Sequence, residues 1–304
     1  MKKTTIALLT AAAMGTSGAV MAANHGPEFS GRVNLDIRNI EGDSTAFTRG
    51  LEDRFEVSGT GDLAAGMTGR YFLRLQEGDG DNFTKAFYAV SGEFGEVLFG
   101  RDDDIVYKFV GVRTDVPFSN IRGVEDAFAS SDTTDGQDVS LQYQLSVDAL
   151  TFGAYVDTSD GENVDDFEAS GDGFNNYQVG VQGDFGMVSA GLVYSDSDMV
   201  DADSELAFGA TLNLDVATLS ATVRDDSNGN NPISLFGALP LQNGLTAYAA
   251  YGDDDDGSDN AQFGVSADLG GGFVTYAEYV TDGVEASDGT TNNSGFVIGG
   301  QFSF

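Results

Sequence analysis

The stretch Arg32–Arg38 reads RVNLDIR, with an apolar residue at every second position and a charged or amide residue in each gap. Successive side chains of a β-strand point to opposite faces, so this stretch has one apolar and one polar face. The same alternation recurs in residues 139–145, 206–214 and 263–269, and no helical periodicity is sustained after residue 22. The pattern therefore predicts an all-β chain.

Sixteen alternating segments can be placed after residue 27. Most are about 9–12 residues long, the length that a tilted strand needs to cross a bilayer. The predicted strands are 28–40, 49–60, 66–77, 83–91, 94–101, 137–147, 149–158, 174–184, 186–196, 204–215, 217–226, 231–239, 244–252, 259–269, 272–282 and 294–304.

The connections between these strands alternate between tight turns and long polar loops, of which 102–136 is the longest. This asymmetry is typical of a 16-stranded antiparallel transmembrane β-barrel with short periplasmic turns and long outer loops. A soluble β-sandwich is the alternative, because it also shows alternation and glycine-rich turns. The strand lengths, the loop asymmetry and the polar second face favour the barrel.

The composition excludes several functions. The chain has 49 Asp and Glu, 14 Lys and Arg, one His and no Cys, with a net charge of −35. The lack of Cys excludes a disulfide scaffold and a thiolate metal site. The low number of Lys and Arg argues against a nucleic-acid-binding protein, because phosphates are bound by clusters of these basic residues. The single histidine, His25, leaves little scope for acid–base chemistry, so we predict no catalytic residues and no enzyme. The 41 glycines are expected largely in hairpin turns.

The N-terminus has the features of an export signal. Lys2 and Lys3 precede an apolar, alanine-rich stretch, and Val20–Ala22 supplies the small residues that a signal peptidase prefers. We therefore expect a cleaved signal peptide at 1–22 and a barrel at 23–304. An uncleaved membrane anchor is the alternative, but the stretch is weakly apolar for that role.

Several stretches resemble the Gram-negative general outer-membrane porins, which are trimeric 16-stranded barrels. Thr84–Arg101 is similar to their fourth and fifth strands, with an aromatic strand, a Gly-x-Phe-Gly turn and a closing Gly-Arg. Glu28–Leu35 is similar to their first strand, and Asp138–Tyr143 to the strand after the pore-constricting loop. The chain also ends on an alternating strand with an aromatic residue, Phe304.

The resemblance implies a third loop folded into the barrel, a homotrimer, and a place in the Gram-negative outer membrane among lipid and lipopolysaccharide. Two positions depart from the family. Thr84, beside Lys85, stands where these porins usually have an arginine, and Gln144-Leu145 replaces a common Ser-Pro.

Strand parity predicts a cluster of arginines on one inner wall. Each of these arginines alternates with apolar residues on the first, second or third strand, which are neighbours. On the lipid face each would cost about 2–4 kcal/mol near the midplane, so an inward direction is expected. The five predicted pore-wall residues are Arg32, Arg38, Arg54, Arg70 and Arg74. As an alternative, they only form ion pairs within the wall, with Glu52 and Glu56.

The long loop 102–136 is rich in acids. If it folds inward, as the resemblance implies, it faces the arginine wall and creates a transverse field that orients dipolar solutes and penalises apolar ones. The predicted constriction residues are Asp102, Asp103, Asp104, Asp115, Glu125 and Asp126. Solvated loop surface is the alternative interpretation of these acids.

Four consecutive acids, Asp253, Asp254, Asp255 and Asp256, lie in a predicted outer loop. Carboxylates are suitable ligands for Ca²⁺ or Mg²⁺, but the spacing matches no known calcium motif and favours a solvated charge run. No other cofactor is expected.

These features predict passive diffusion of small hydrophilic solutes and ions through a water-filled channel. Because predicted inner acids outnumber bases, we expect a weak cation preference. A solute-specific porin and a non-conducting structural or adhesion barrel are the alternatives, and no nucleic-acid partner is expected.

Overall fold

The computed structural model describes residues 27–41, 45–49, 53–76, 84–115, 139–157, 176–197, 204–225, 231–253, 259–284 and 293–304. Within them the chain is almost entirely β-strand, in one sheet. The strands are β1 Glu28–Ile40, β2 Ala46–Arg49, β3 Arg54–Asp62, β4 Thr68–Gln76, β5 Lys85–Gly92, β6 Gly95–Arg101, β7 Ser140–Val147, β8 Leu150–Asp157, β9 Asn176–Asp184, β10 Val188–Ser197, β11 Glu205–Asn213, β12 Thr218–Asp225, β13 Ile233–Pro240, β14 Leu245–Asp253, β15 Asp259–Gly270, β16 Phe273–Val284 and β17 Asn293–Ser303.

In the described residues, helical structure is confined to short segments. One α-helix, α1, spans Ile105–Phe109, and 3-10 turns occur at Ala64–Gly66, Gly111–Arg113 and Gln242–Gly244. Within the part of the chain that the structure describes, no helix is long and apolar enough to cross a membrane. The predicted signal peptide, residues 1–22, lies outside the described residues.

The sheet closes on itself through β1. β2 and β3 pair end to end with the same strand, since Arg49 lies opposite Leu35 and Arg54 lies opposite Arg32. They therefore share one barrel position, and the seventeen described strands fill sixteen positions. The other edge of β1 pairs antiparallel with β17, from Arg32 opposite Ser303 to Ile40 opposite Gly295. The predicted 16-stranded antiparallel barrel is confirmed. At its second position the described segments β2 and β3 pair with β1 in registers that differ by two residues.

The alternation of faces follows the sequence pattern. On β4, Tyr71, Leu73 and Leu75 are exposed on the outer face, while Arg70 and Arg74 lie on the inner face and are half-buried. Exposed aromatic side chains occur near both rims of the outer face. Near the tight turns they are Phe94, Phe152, Phe185, Phe273 and Phe304, and near the long loops they are Phe47, Tyr177, Tyr194, Tyr251 and Tyr279. Two aromatic bands around an apolar belt are typical of barrels that span a membrane.

A tyrosine crosses one strand on the inner face to reach a carboxylate on the next. Tyr248 on β14 lies opposite Gly264 on β15, which lies opposite Glu278 on β16. The Tyr248 hydroxyl donates to Glu278 Oε1 at 2.5 Å, and a Cβ on Gly264 would overlap the tyrosine ring. Glu278 is only 1% exposed, so this hydrogen bond satisfies one oxygen of a buried carboxyl group.

The same arrangement repeats across the seam where the barrel closes. Tyr276 on β16 lies opposite Gly299 on β17, and Gly299 lies opposite Asp36 on β1. The Tyr276 hydroxyl donates to Asp36 Oδ1, while Asp36 Oδ2 accepts from Arg38 at 3.2 Å. We call these two arrangements the tyrosine bridges. Together they join β14 to β1, and the second links the last strand positions to the first.

Candidate functional site

The loop after β6 enters the barrel. Its helix α1 packs against the inner face of β8, β9 and β10, and Ile105, Val106 and Phe109 are almost fully buried there. Tyr155, Val193 and Ala207 on the wall and Val110 on the loop complete this apolar cluster. The inward fold of the third loop is therefore confirmed for residues 102–115, whereas 116–138 lie outside the described residues.

The wall is hollowed by glycines where the helix sits. A Cβ on Gly191 would overlap the carbonyl oxygen of Phe109. A Cβ on Gly153 would lie 2.8 Å from Phe109 Cζ, and one on Gly180 would lie 3.1 Å from Ile105 Cγ2. These glycines let the helix approach the sheet directly.

Side chains satisfy the first backbone donors of α1. Gln178 on β9 accepts with Oε1 from the Ile105 and Val106 amides at 2.9 and 3.1 Å. Its Nε2 donates to Asp104 Oδ2 at 3.0 Å, and Asp104 Oδ1 accepts from the Tyr107 amide at 2.6 Å. Asp104 is therefore the N-cap of α1, and this buried network satisfies donors that a helix start otherwise leaves unpaired.

The first two acids of the loop form ion pairs with lysines. Asp102 lies 2.7 Å from Lys108 Nζ and 3.3 Å from Lys85 Nζ, and Asp103 also pairs with Lys85. Burial alone would raise the pKa of Asp102, but the ammonium groups of Lys108 and Lys85 outweigh it and hold that pKa below its usual value. Lys108 also donates to Gln142 Oε1 at 2.6 Å, which fixes it against β7.

The end of the described loop segment is held on a different part of the wall. Arg113 donates to Ser189 Oγ at 2.7 Å and to the Phe109 carbonyl at 2.8 Å. The hydroxyls of Thr114 and Thr222 lie 3.1 Å apart. The loop is thus anchored along β7 to β12, opposite the strands that carry the arginines.

The five predicted arginines lie on the inner face of β1, β3 and β4. Arg54 and Arg74 both contact Glu56, at 3.2 and 2.8 Å, and Arg32 lies opposite Arg54 in the β1–β3 register. The arginines are therefore clustered and also form the ion pairs with Glu56 that the alternative interpretation of the sequence proposed. Glu52, the other acid named there, lies outside the described residues. Arg32, Arg54 and Arg74 form what we call the arginine triad.

The other two predicted arginines have separate partners. Arg70 forms a bidentate ion pair with Glu96 on β6, in which Nε donates to Oε2 at 2.9 Å and Nη2 donates to Oε1 at 2.6 Å. Arg38 pairs with Asp36 in the second tyrosine bridge. These two guanidinium groups are held by the wall and stand apart from the triad.

Two loop groups face the arginine triad across the interior. Asp115 is exposed, accepts from the Tyr107 hydroxyl at 2.6 Å and attracts Arg32 electrostatically. The Asp103 carboxylate attracts Arg54 electrostatically. The narrow zone thus has guanidinium groups on one side, and a carboxylate with a phenol on the other. Of the predicted constriction residues, Asp102 and Asp104 serve to anchor the loop, and Glu125 and Asp126 lie outside the described residues.

Comparison with known families gives the affiliation of this barrel. The family profile described as Gram-negative porin matches residues 9–238. The chain belongs to the Gram-negative porin family. It is accordingly an outer-membrane β-barrel, as its two faces and aromatic bands indicate. No curated protein sequence matches the chain significantly.

Solved structures of porins share the fold at low sequence identity. A mutant of the Rhodopseudomonas blastica porin has a TM-score of 0.69 and 16% identity, with 92% of this chain and 100% of that chain covered. OmpT of Vibrio cholerae, an in-vitro folded outer membrane protein in its trimer form, has a TM-score of 0.67 and 16% identity, with 92% and 99% covered. Similarity at this level establishes the common architecture.

No metal centre is evident in the part of the chain that the structure describes, where no group of three or more potential ligand side chains occurs. Of the acidic run predicted as a possible Ca²⁺ or Mg²⁺ site, Asp253 ends β14 and residues 254–256 lie outside the described residues. A Ca²⁺ or Mg²⁺ site at this run remains a prediction.

Sequence reasoning missed the residues that hold the loop. Gln178 and Gln142 lie on predicted strands at positions that point into the barrel, so their direction could be predicted. Nothing in the sequence of these strands indicates that the two side chains bind a helix. Glu96, the partner of Arg70, lies in the Gly-x-Phe-Gly turn region that carries the resemblance. Its inward parity was the signal available for it.

Proposed function

We propose that this barrel is a passive diffusion channel for small hydrophilic solutes and ions, with no covalent step. The observation that carries the proposal is the arginine triad facing Asp115 and Tyr107 on a loop that is anchored inside the barrel. Opposite charges across a narrow zone order water and orient dipolar solutes, so an apolar solute must disrupt that order to pass.

We also propose a weak cation preference. Ion pairs with Glu56, Glu96 and Asp36 balance much of the positive charge on the arginine-bearing wall. The surplus acids of the sequence are concentrated in the predicted outer loops 158–173, 196–203 and 253–258. Carboxylates at a channel entrance raise the local concentration of cations, which favours their entry.

The assembly is proposed to be a homotrimer in contact with lipid and lipopolysaccharide. The trimer form of the OmpT structure, whose fold this chain shares, supports this proposal. The exposed apolar outer face supports contact with lipid.

Planar-bilayer recording of the purified protein tests the channel. We expect conductance steps in groups of three, conductance that rises with salt without saturation, and a reversal potential on the cation side in a salt gradient. Saturable, ligand-blocked conductance would indicate a solute-specific porin, and no conductance would indicate a structural barrel. Anion selectivity would refute the cation preference alone.

A matched pair of variants tests the role of the narrow zone. Asp115→Asn removes the loop carboxylate that faces the triad, so we expect a reversal potential shifted toward anions. Asp148→Asn removes the same charge from the exposed turn between β7 and β8, where asparagine tolerates the backbone φ of 54°. An equal shift in both variants would contradict the proposed constriction.

A further inference from the structure

We infer that Gln178 is a positioning residue that sets the rotation and register of the constriction loop on the barrel wall. The inference rests on the proposed channel function and names the group that keeps its narrow zone in place. Gln178 contributes no charge to the channel and is only 1% exposed. Both the oxygen and the nitrogen of its side-chain amide contact the start of α1.

The need for such a residue follows from the length of α1. A helix of five residues makes too few internal hydrogen bonds to be stable alone, so its geometry must be imposed from outside. The apolar cluster beneath it, with Ile105 and Phe109 over Tyr155 and Val193, stabilises contact. Apolar contact is non-directional, however, and a glycine-lined wall has few side chains that would stop the helix from rotating or sliding.

Gln178 supplies direction at the start of the helix. One oxygen accepts from two successive amides of the first helical turn, and the nitrogen on the same planar group donates to the N-cap carboxylate of Asp104. Three contacts to one rigid amide fix the helix start relative to β9. A shift by one residue would leave these buried donors and acceptors unpaired, which is costly.

The consequence reaches the narrow zone through Tyr107. The same N-cap, Asp104, accepts from the Tyr107 amide, and the Tyr107 hydroxyl holds Asp115. Rotation of the helix start would therefore move the phenol and carboxylate that face the arginine triad. Gln178 thus determines the geometry of the constriction from behind the loop.

An exchange of hydrogen-bond donor and acceptor tests this role. In Gln178→Glu, the two backbone amides keep an acceptor, but a carboxylate replaces the donor to Asp104 and repels it. In the double variant with Asp104→Asn, the new amide donates to the carboxylate and its oxygen still caps the Tyr107 amide, since Asn is a good N-cap. The same set of hydrogen bonds is restored with its polarity reversed.

Loop position is read without relying on conduction. The chain has no cysteine, so Val112→Cys, at a position that is 48% exposed on the loop, accepts a single spin label. We expect Gln178→Glu to raise the population of the displaced loop about ten- to a hundredfold, from loss of a charge-assisted hydrogen bond. Open-channel current noise should rise with it, and the double variant should return both signals to those of the unaltered chain.

The control is Gln301→Glu, the same change on the inner face of β17, where the amide donates to Ser303 Oγ at 3.2 Å, far from α1 in the sequence. It should leave label mobility unchanged. Immobile labels in Gln178→Glu, or a double variant as mobile as the single one, would overturn the inference. A barrel that shows these label changes but no conductance would instead refute the proposed function alone.

Discussion

The second tyrosine bridge makes Gly299→Ala the most informative single substitution in the barrel. The new Cβ would overlap both Asp36 Oδ1 and the Tyr276 ring, closer than real Cβ contacts occur. Tyr276 must then swing away from Asp36 and lose its hydrogen bond across the closing seam. The neighbouring Gly300 offers a matched control, because a Cβ there meets only Val274 O at 3.9 Å, on the outer face.

Two opposing effects set the magnitude. A hydrogen bond to a charged group contributes about 1.5–3 kcal/mol, whereas alanine is favoured over glycine inside a strand by about 0.5–1 kcal/mol. The hydrogen bond is the larger effect, so we expect Gly299→Ala to lower the free energy of unfolding by about 1–2 kcal/mol. Displacing Tyr276 from Val280 and Val297 adds a packing loss. Gly300→Ala should raise the free energy of unfolding by about 0.5 kcal/mol.

Denaturant unfolding in detergent micelles measures the difference. The chain has no Trp, so tyrosine fluorescence and the gel mobility of the folded barrel report unfolding. Equal stability of Gly299→Ala and Gly300→Ala would refute the argument that Gly299 exists to let Tyr276 cross β17. Tyr276→Phe should reproduce most of the loss, because it removes the hydroxyl and leaves the ring.

Two further predictions concern the loop. The pKa of Asp102 in the folded chain lies below the ordinary Asp value of about 4, so its ion pairs stabilise the loop at any pH above about 4. This stabilisation is lost only as the pH falls through the lowered pKa. A spin label at Val112 that is already mobile at pH 6 would contradict this prediction. Gly191→Ala should push the Phe109 backbone off the wall and alter single-channel conductance, whereas Gly237→Ala, with its nearest contact at 3.4 Å, should not.

The barrel itself could be predicted because its signal is local. Alternation along Arg32–Arg38 depends only on neighbouring residues, and it placed each strand within a few residues of its observed bounds. Strand parity likewise placed Arg54 and Arg74 on the inner face, where they share Glu56. The two-residue change of register with β1 between β2 and β3 had no such signal.

The function of each acid in the loop could not be predicted, because it depends on partners distant in sequence. Asp102, Asp103 and Asp104 are consecutive and chemically identical, so composition treats them as one cluster. In the fold, Asp102 is buried between two lysines, Asp103 pairs with Lys85, and Asp104 caps α1 and meets Gln178. The three roles arise from the direction in which the chain turns after β6, which no local pattern records.

The role of the glycines inside strands could not be predicted from the sequence either. They were expected mainly in turns, and some are there, but those with the largest structural effect lie inside strands. Gly264 and Gly299 let tyrosines cross a strand to a carboxylate, and Gly153 and Gly191 let a helix rest on the wall. A glycine in a strand interior is destabilising by itself, and at these four positions another group passes close above it. The interior of this barrel is therefore shaped as much by where side chains are missing as by the charges that line it.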